Sequence, residues 1–287
     1  MDKIVKADFY LRETLKEILE NGYYDDNPRP KFKTGEPAYS KFITHTVETY
    51  CINRGEYPIP TLRPTAIKSG IKEILWIYQQ ESNSLKLANE MGIYWWDEFN
   101  VGDDTIGIAY GEVCRRYDLV NKLLQNLEQN PFGRRHILNL YQEEESVKQD
   151  KLGGLNPCFY STTWSVRKVG DVRYLDVLLN SRSSDYLVAG FINRTQYTAL
   201  AQMVAGHLTV VTGIVHKVGK LTVITANAHL YLRHIKSAEE ILNRESSGEQ
   251  GSFWLTCDKL FWEYTIDDWQ FNLPKTEKLS EDLEIAI

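Results

Sequence analysis

One cysteine and one arginine lie where a β-hairpin would bring them together. Cys158 follows a proline in GLNPCFYST, and Arg182 lies in SRSSD. The residues between them alternate as strands do around a turn near Gly170, so reflection through about position 170 pairs 158 with 182. Residues opposed on antiparallel strands have Cβ atoms roughly 4.5–5.5 Å apart. A cysteine is more often inert packing than a nucleophile, but a neighbouring cation lowers the pKa of a thiol and could activate it.

Other charged and aromatic residues suggest anion binding and stacking, each beside a simpler structural role. Arg134 and Arg135 are adjacent before a strand-like stretch; on a strand they would point to opposite faces, which favours an interface or a phosphate. Arg29 lies in a loop over 25–37 that is either an anion site or simply solvated. Residues 92–99, GIYWWDEF, are either core or a stacking platform for a flat ligand.

Helical and strand periodicities predict the elements that must position these side chains. Apolar residues recur at helical spacing in four segments: 4–21, 65–80, 118–131 and 191–206. We expect Gly206 to end the fourth helix, and 221–235 to be a strand that runs into a further helix. Glu73 lies beside the apolar stripe of the second helix, either at its edge or buried. Because helices and strands do not alternate strictly, an α+β fold is favoured over a doubly wound sheet.

Composition and motifs exclude several classes of protein. A chain of 287 residues with 43% hydrophobic and 25% charged residues and a net charge of −6 suits one domain over 1–287, neither disordered nor built to coat nucleic acid. The four cysteines lack C-x-x-C spacing, so we expect reduced thiols in the cytoplasm and no metal site. We expect no leader and no membrane span, because the first residues are charged and no apolar run is long enough. Dinucleotide-binding, P-loop and zincin motifs are absent from the sequence.

Eight short motifs occur in an order that resembles the thymidylate synthases. In chain order they are KEILW, WWDEF, IAYG, NPFGRR, LNPC, SRSSD followed by Asn193, AHLY and the final IAI. The resemblance extends from Arg29 to Ile287. It implies a single α+β domain with a large, mostly antiparallel or mixed sheet, flanked by helices, and a sheet face used for homodimerisation.

The resemblance also implies a dUMP site. Cys158 resembles the nucleophile that adds to pyrimidine C6, and Arg182 the group that stabilises its thiolate and contacts the phosphate. Asn193 resembles the residue that recognises the uracil edge. Further phosphate and ribose ligands are implied at Arg29, Ser183, His229 and Tyr231, and Arg134 and Arg135 resemble the pair that reaches the phosphate of the partner subunit.

The resemblance implies that reductive methylation of dUMP uses 5,10-methylenetetrahydrofolate as both carbon and hydride donor, so no NAD(P) and no metal are expected. Asp185 resembles the carboxylate that holds the pterin. Glu73 and Tyr110 resemble the groups that move protons, which favours the buried alternative for Glu73. The remaining folate contacts are implied at Trp96, Leu155, Ala286 and Ile287.

Five positions depart from the pattern common in these enzymes: Arg63, Phe159, Ser181, Ala189 and Asn227. Two alternative functions are compatible with the residues. A dUMP or dCMP hydroxymethylase of the same fold would finish the reaction with water, although Asn193 argues against cytosine. A non-catalytic nucleotide- or RNA-binding protein is suggested only by the arginines, and the acidic chain argues against it and against any obligatory nucleic acid.

Overall fold

A computed structural model describes residues 4–287, in which a seven-stranded mixed sheet is the central element. The strands of this sheet are β1 Tyr23–Asp25, β2 Ser40–Cys51, β3 His136–Asn139, β4 Phe159–Val169, β5 Val172–Ser181, β6 Ser184–Asp185 and β7 His216–Tyr231. A separate antiparallel pair is formed by β8 Ser252–Leu255 and β9 Trp269–Asn272.

The helices flank this sheet, as the α+β class requires. They are α1 Lys6–Asn21, α2 Ile67–Ile74, α3 Leu85–Glu90, α4 Gly111–Tyr117, α5 Leu119–Gln129, α6 Glu143–Lys151, α7 Gly190–Thr212 and α8 Ile235–Asn243. The predicted α+β fold with a mixed sheet is therefore confirmed. None of the helices in residues 4–287 is both long and apolar enough to cross a membrane.

The strand order β1-β2-β7-β5-β4-β3 combines antiparallel and parallel pairs. Strand β7 is antiparallel to β2 but parallel to β5 and to the short β6. The hairpin of β4 and β5 has the predicted register, because Val169 faces Val172 around the turn and Phe159 faces Ser181 at the far end. Gly170 has φ +60°, a left-handed conformation that glycine adopts without the penalty of a Cβ atom.

Helix α7 is the central helix of the core and is longer than predicted. It packs against β7 and α2, and most of its side chains are buried. The prediction that Gly206 ends it was wrong, because the helix continues to Thr212 and ends at Gly213, which has φ +67°. Gly206 instead accommodates a close neighbour: a Cβ atom there would lie 2.0 Å from the hydroxyl of Tyr264. Its small size serves packing rather than termination.

A buried ion pair ties the start of α7 to the sheet. Arg194 and Glu48 are 0% and 1% exposed. Arg194 Nε donates to Glu48 Oε2 at 2.7 Å, its Nη2 contacts Glu48 Oε1, and its Nη1 donates to the carbonyl of Gly190 at 2.6 Å. The carboxylate also accepts from the hydroxyls of Tyr50 and Tyr186 at 2.6 and 3.0 Å. The pair therefore fixes the first turn of α7 relative to β2.

Candidate active site

One cavity of about 540 Å³ is lined by every predicted site residue except Arg134 and Arg135. It lies between α2, the first turns of α7, the ends of β5 and β7, and the C-terminal residues. A cavity of this size suits a small organic ligand. The residues that line it come from distant parts of the sequence, so the fold alone brings them together.

The predicted proximity of Cys158 and Arg182 is confirmed. The N–H of Arg182 donates to the carbonyl of Cys158 at 2.9 Å, which extends the hairpin by one pair. Arg182 Nε and Nη2 donate to the carbonyls of Pro157 and Asn156 at 3.0 and 2.8 Å. This fixed guanidinium places Nη2 at 3.7 Å from Cys158 Sγ.

The electrostatic effect on the Cys158 thiol differs from the expected one. Burial raises the pKa of Cys158 above its ordinary value, and the charges of Arg182 and Arg29 only partly oppose that rise. The sequence predicted a lowered thiol pKa because it reveals the cation but not the degree of desolvation. Without a ligand, therefore, the thiol form is favoured.

Tyr110 lies beside the cysteine in a strained backbone conformation. It has φ +49°, which is rare for a bulky side chain, and the following Gly111 packs so tightly that a Cβ atom would lie 2.2 Å from the carbonyl oxygen of Ser82. The Tyr110 hydroxyl accepts the backbone N–H of Cys158 at 3.2 Å. Burial raises its pKa far above the ordinary value, so the neutral phenol is the stable form.

Glu73 is buried, as the resemblance implied, rather than at the edge of the apolar stripe. It lies on α2, where its Oε2 accepts the indole N–H of Trp95 at 2.5 Å. Burial raises the pKa of Glu73 to about 7, and the side chains of Gln196, Trp95 and Trp96 partly oppose that rise. A carboxyl with a pKa near neutrality can both give and accept a proton at neutral pH.

The amide of Asn193 enters the cavity from the first turn of α7. Its Nδ2 donates to Gln196 Oε1 at 2.8 Å, three residues later on the same helical face. Its remaining N–H and its carbonyl oxygen form no hydrogen bond among residues 4–287. Asn193 therefore offers one donor and one acceptor to a ligand.

The end of β7 contributes two aromatic residues with polar groups. His229 Nδ1 lies 3.2 Å from Asn227 Oδ1 and 3.5 Å from Ser183 Oγ. Burial and the charge of Arg182 lower the pKa of His229 to about 4, so it is neutral, and a proton on Nδ1 leaves Nε2 as an acceptor. Tyr231 packs edge-on against His229 with ring centroids 5.2 Å apart.

A second carboxyl and an apolar wall also line the cavity. Asp185 accepts the backbone N–H of Val188 at 3.0 Å, and burial raises its pKa to about 7. Trp96 is 7% exposed and packs edge-on against Tyr110 at 5.2 Å, while its indole N–H has no acceptor among residues 4–287. Together with Leu155, these residues provide a surface on which a flat ring can stack.

The C-terminal residues form part of the cavity wall. Ile287 exchanges two backbone hydrogen bonds with Lys31, at 2.7 and 2.8 Å, and Ala286 and Ile287 both line the cavity. Arg233 forms ion pairs with Glu36, in the loop that carries Arg29, and with Glu284, in the C-terminal segment. The loop and the C-terminus are therefore held together over one side of the cavity.

Arg134 and Arg135 lie outside the cavity of their own chain. Both are exposed and immediately precede β3, which begins at His136, so the expectation that they lie on a strand was wrong by one or two residues. The preceding Gly133 and Pro131 shape a turn that delays the strand. A single chain does not bring either arginine to Cys158.

Several residues that line the cavity were not singled out from the sequence: Asp25, Phe42, Tyr78, Ile192, Ser184, Gln196 and Tyr197. Gln196 could have been found, because a residue three positions after Asn193 lies on the same face of a helix. Tyr78 and Tyr197 hydrogen-bond each other at 2.8 Å across α7 and the π-helical turn after α2, a contact that no short motif encodes.

A thiol and guanidinium groups line one cavity of a mixed sheet flanked by helices, which suits an enzyme that acts on an anionic substrate through a nucleophilic sulfur. The family model described as thymidylate synthase matches residues 9–277. Thymidylate synthases of Streptococcus sanguinis and Streptococcus gordonii are 45% and 44% identical over 243 and 246 residues, or 84% and 85% of both chains. The solved thermostable thymidylate synthase A from Bacillus subtilis is 30% identical, with a TM-score of 0.80 over 98% of this chain and 99% of that chain.

The chain therefore belongs to the thymidylate synthase family. It is a methyltransferase of dTMP biosynthesis, and the family uses methylenetetrahydrofolate as co-substrate. The alternative of a non-catalytic binding protein is set aside by this membership, and the names of the relatives favour a synthase over a hydroxymethylase.

Proposed function

We propose that the chain, as a single domain over 1–287, converts dUMP to dTMP by covalent catalysis at Cys158 in the cytoplasm. The observation that carries this proposal is the position of Cys158 Sγ, 3.7 Å from Arg182 and in the same cavity as Asn193, Glu73 and Asp185. The four cysteines are free thiols, which suits a reducing compartment.

Binding of dUMP begins with its phosphate. Arg29, Arg182 and Ser183 all line the cavity and offer charged and neutral donors to phosphate oxygens. His229 and Tyr231 lie next along β7, where they can hydrogen-bond the ribose hydroxyl. The uracil ring then lies toward Asn193, whose free N–H can donate to O4 and whose carbonyl can accept from N3–H.

The chemistry starts when the sulfur of Cys158 forms a bond to C6 of the uracil ring. The electron pair of the C5–C6 double bond moves through C4 to O4, and the thiol proton is lost to a neighbouring base. Asn193 can donate to the resulting enolate oxygen, and Glu73 with a pKa of about 7 can supply or remove protons nearby. Covalent addition makes C5 nucleophilic, which it is not in free uracil.

We assign the folate to the rest of the cavity. Trp96 and Leu155 provide the stacking wall, and Asp185 provides a carboxyl for the pterin. C5 bonds to the methylene carbon of methylenetetrahydrofolate as the bond from that carbon to N10 breaks, and N10 takes the electron pair and a proton. Tyr110, a neutral phenol beside Cys158, helps to remove the C5 proton by passing it on through its hydroxyl group. Elimination of tetrahydrofolate then gives an exocyclic methylene group on C5. Hydride from that folate reduces the methylene group to methyl and leaves dihydrofolate as the second product. The sulfur leaves C6 as the C5–C6 double bond forms again.

Closure by the C-terminus supports this sequence of steps. The pairing of Ile287 with Lys31 covers one side of the cavity and limits access of water to the methylene intermediate. Water at that carbon would yield hydroxymethyl rather than methyl product. The enclosure therefore favours the synthase reaction.

A homodimer is also proposed. On the sheet face opposite Glu48, neighbouring strands place Val47 beside Ile224 and Thr49 beside Thr222, and Val47 is 58% exposed. A broad, partly apolar sheet face of this kind suits burial against a second copy. Arg134 and Arg135 are exposed and unused by their own cavity, so they are available to the phosphate in the cavity of the partner.

Covalent trapping tests the proposal. We expect 5-fluoro-dUMP with methylenetetrahydrofolate to form a stable adduct on Cys158. The reaction stops there because C5 of this analogue carries fluorine in place of the proton that must be removed. Intact-protein and peptide mass spectrometry would locate the adduct. Cys257→Ser is the matched control, since that cysteine is exposed and outside the cavity. An adduct that persists in Cys158→Ser, or no adduct in the parent protein, would refute the mechanism.

A further inference from the structure

Gln196 lies between the uracil-facing amide and the buried carboxyl of the cavity. It follows Asn193 by one helical turn on α7, is only 2% exposed, and accepts from Asn193 Nδ2 at 2.8 Å. Its other polar atom, Nε2, is buried without a hydrogen-bond partner among residues 4–287. It lies close enough to Glu73 to oppose the rise in the pKa of that carboxyl.

Helix α2 leaves room for this side chain. Gly70, one turn before Glu73, approaches α7 so closely that a Cβ atom would lie 3.2 Å from Gln196 Cγ and 3.1 Å from Ile192 Cγ2. Glycine at position 70 therefore allows Gln196 to extend toward Glu73 instead of being displaced. The close approach of α2 and α7 is part of the same arrangement as the buried amide.

The two ends of the Gln196 amide face different groups, Asn193 at Oε1 and the Glu73 carboxyl near Nε2, and this difference determines which way Asn193 points. A carboxylate can accept from Nε2 but cannot donate to Oε1, so an ionised Glu73 favours the orientation with Oε1 toward Asn193. Asn193 must then use one of its two Nδ2 hydrogens on Gln196. The second hydrogen and the carbonyl oxygen remain for a pyrimidine ring that carries an acceptor at position 4 and a donor at N3.

We infer that Gln196 is a positioning and specificity-determining residue, which holds the Asn193 amide in the orientation that accepts uracil and rejects cytosine. Cytosine presents an amino group at position 4 and an unprotonated N3, so it would face the wrong hydrogen-bonding group at both places. This inference rests on the proposed function, because it assigns the pyrimidine ring to Asn193. It adds a residue that does not itself have to contact the substrate.

Gln196→Met provides the first test, because methionine has similar length but no hydrogen-bonding group directed at Asn193 or Glu73. We expect the preference for dUMP over dCMP to fall by about tenfold, the equivalent of one hydrogen bond. The preference is measured as the ratio of the two kcat/KM values or of the two equilibrium binding constants. The matched control is Gln202→Met on the same helix. Gln202 bonds Phe253 and Trp269 away from the cavity, so its loss should leave the ratio unchanged.

Gln196→Glu separates positioning from packing. An ionised or a protonated glutamate at 196 still presents an oxygen acceptor to Asn193, because a shared proton between two adjacent carboxyls would lie toward Glu73. We therefore expect this variant to keep the dUMP preference within about threefold, while the pH dependence of kcat moves to higher pH through the second acidic group. If Gln196 served only to fill space, the variant would not combine a retained dUMP preference with a shifted pH dependence of kcat.

The outcomes distinguish this inference from the proposed function. If the parent protein forms no adduct with 5-fluoro-dUMP, the proposed function itself fails. If the adduct forms but Gln196→Met keeps the full dUMP preference, the positioning role of Gln196 is wrong. Equal loss of preference in Gln196→Met and Gln196→Glu would also overturn it, and this second variant decides the question if the methionine variant does not fold.

Discussion

The buried pair of Glu48 and Arg194 offers a sharp test of how the fold holds the site. Glu48→Gln removes the negative charge but retains the shape of the side chain. Arg194 would then be a fully buried cation whose remaining partners are neutral, notably the carbonyl of Gly190. Breaking a buried pair in this way costs about 3–5 kcal/mol of unfolding free energy.

This free energy converts to a measurable change in melting temperature. An unfolding entropy of about 2.1 cal/mol/K per residue gives about 0.6 kcal/mol/K for a chain of 287 residues. The expected loss is therefore about 5–8 °C in Tm by calorimetry. The matched control is Glu98→Gln, which breaks the surface pair with Lys33; both of those side chains are well exposed, so the cost should be less than about 1 kcal/mol.

A double variant completes the cycle. In Glu48→Gln with Arg194→Met no charge is left buried, so we expect most of the lost stability to return. A single-variant loss no greater than that of the surface control would refute this account. So would a double variant whose loss equals the sum of the two single losses, because the pair would then have no mutual interaction to remove.

Three further predictions concern the cavity and its closure. Burial raises the pKa of Glu73 from its ordinary value of 4.5 to about 7, so the stability that this carboxyl contributes is present below pH 4.5 and is lost as the pH rises through 7. The free energy of unfolding of Glu73→Gln, measured in urea relative to that of the parent, should therefore rise by about 3 kcal/mol between pH 4.5 and about pH 8. The same pH dependence of stability in both proteins would contradict this prediction. Arg233→Ala should weaken the link between the Arg29 loop and the C-terminal segment through loss of the Glu284 pair, seen as faster hydrogen exchange at 280–287 and a higher KM for the folate; unchanged exchange would rule the link out. If Arg135 serves the partner's cavity, inactive Cys158→Ala and Arg135→Ala subunits should regain activity when mixed, since a mixed dimer contains one intact site, and no recovery in verified mixed dimers would contradict the shared site.

The sequence predicted those parts of the site that depend on local geometry. The hairpin register follows from the period of two along each strand and from a turn at Gly170, so the contact between Cys158 and Arg182 could be expected. The burial of Glu73 could not be decided from its helix alone, because the stripe shows which face is apolar but not how far the neighbouring helix covers it. The resemblance, rather than the periodicity, favoured the buried alternative.

Other features depend on contacts between distant segments. Gly206 looked like a helix end, but its role is set by Tyr264, which lies far along the chain. The Gln196 amide likewise acquires its importance from Gly70 and Glu73 on another helix. Pairwise packing of this kind leaves no periodic signal. The sequence could therefore predict α7 but not its length, and the position of Gln196 on the face of Asn193 but not its proximity to Glu73.

Desolvation and nearby charges together determine the protonation state of the Cys158 thiol. Burial outweighs the two arginines and raises the pKa of Cys158, so a permanent thiolate is not the stable state of the free site. Bound phosphate would partly neutralise Arg29 and Arg182, which weakens their support for a thiolate still further. In the proposed mechanism, sulfur attack is therefore coupled to proton loss and to charge moving onto O4, where Asn193 can stabilise it. We therefore propose that the arginines act chiefly by holding the nucleotide in place, and that the Asn193 amide stabilises the charge that develops on O4.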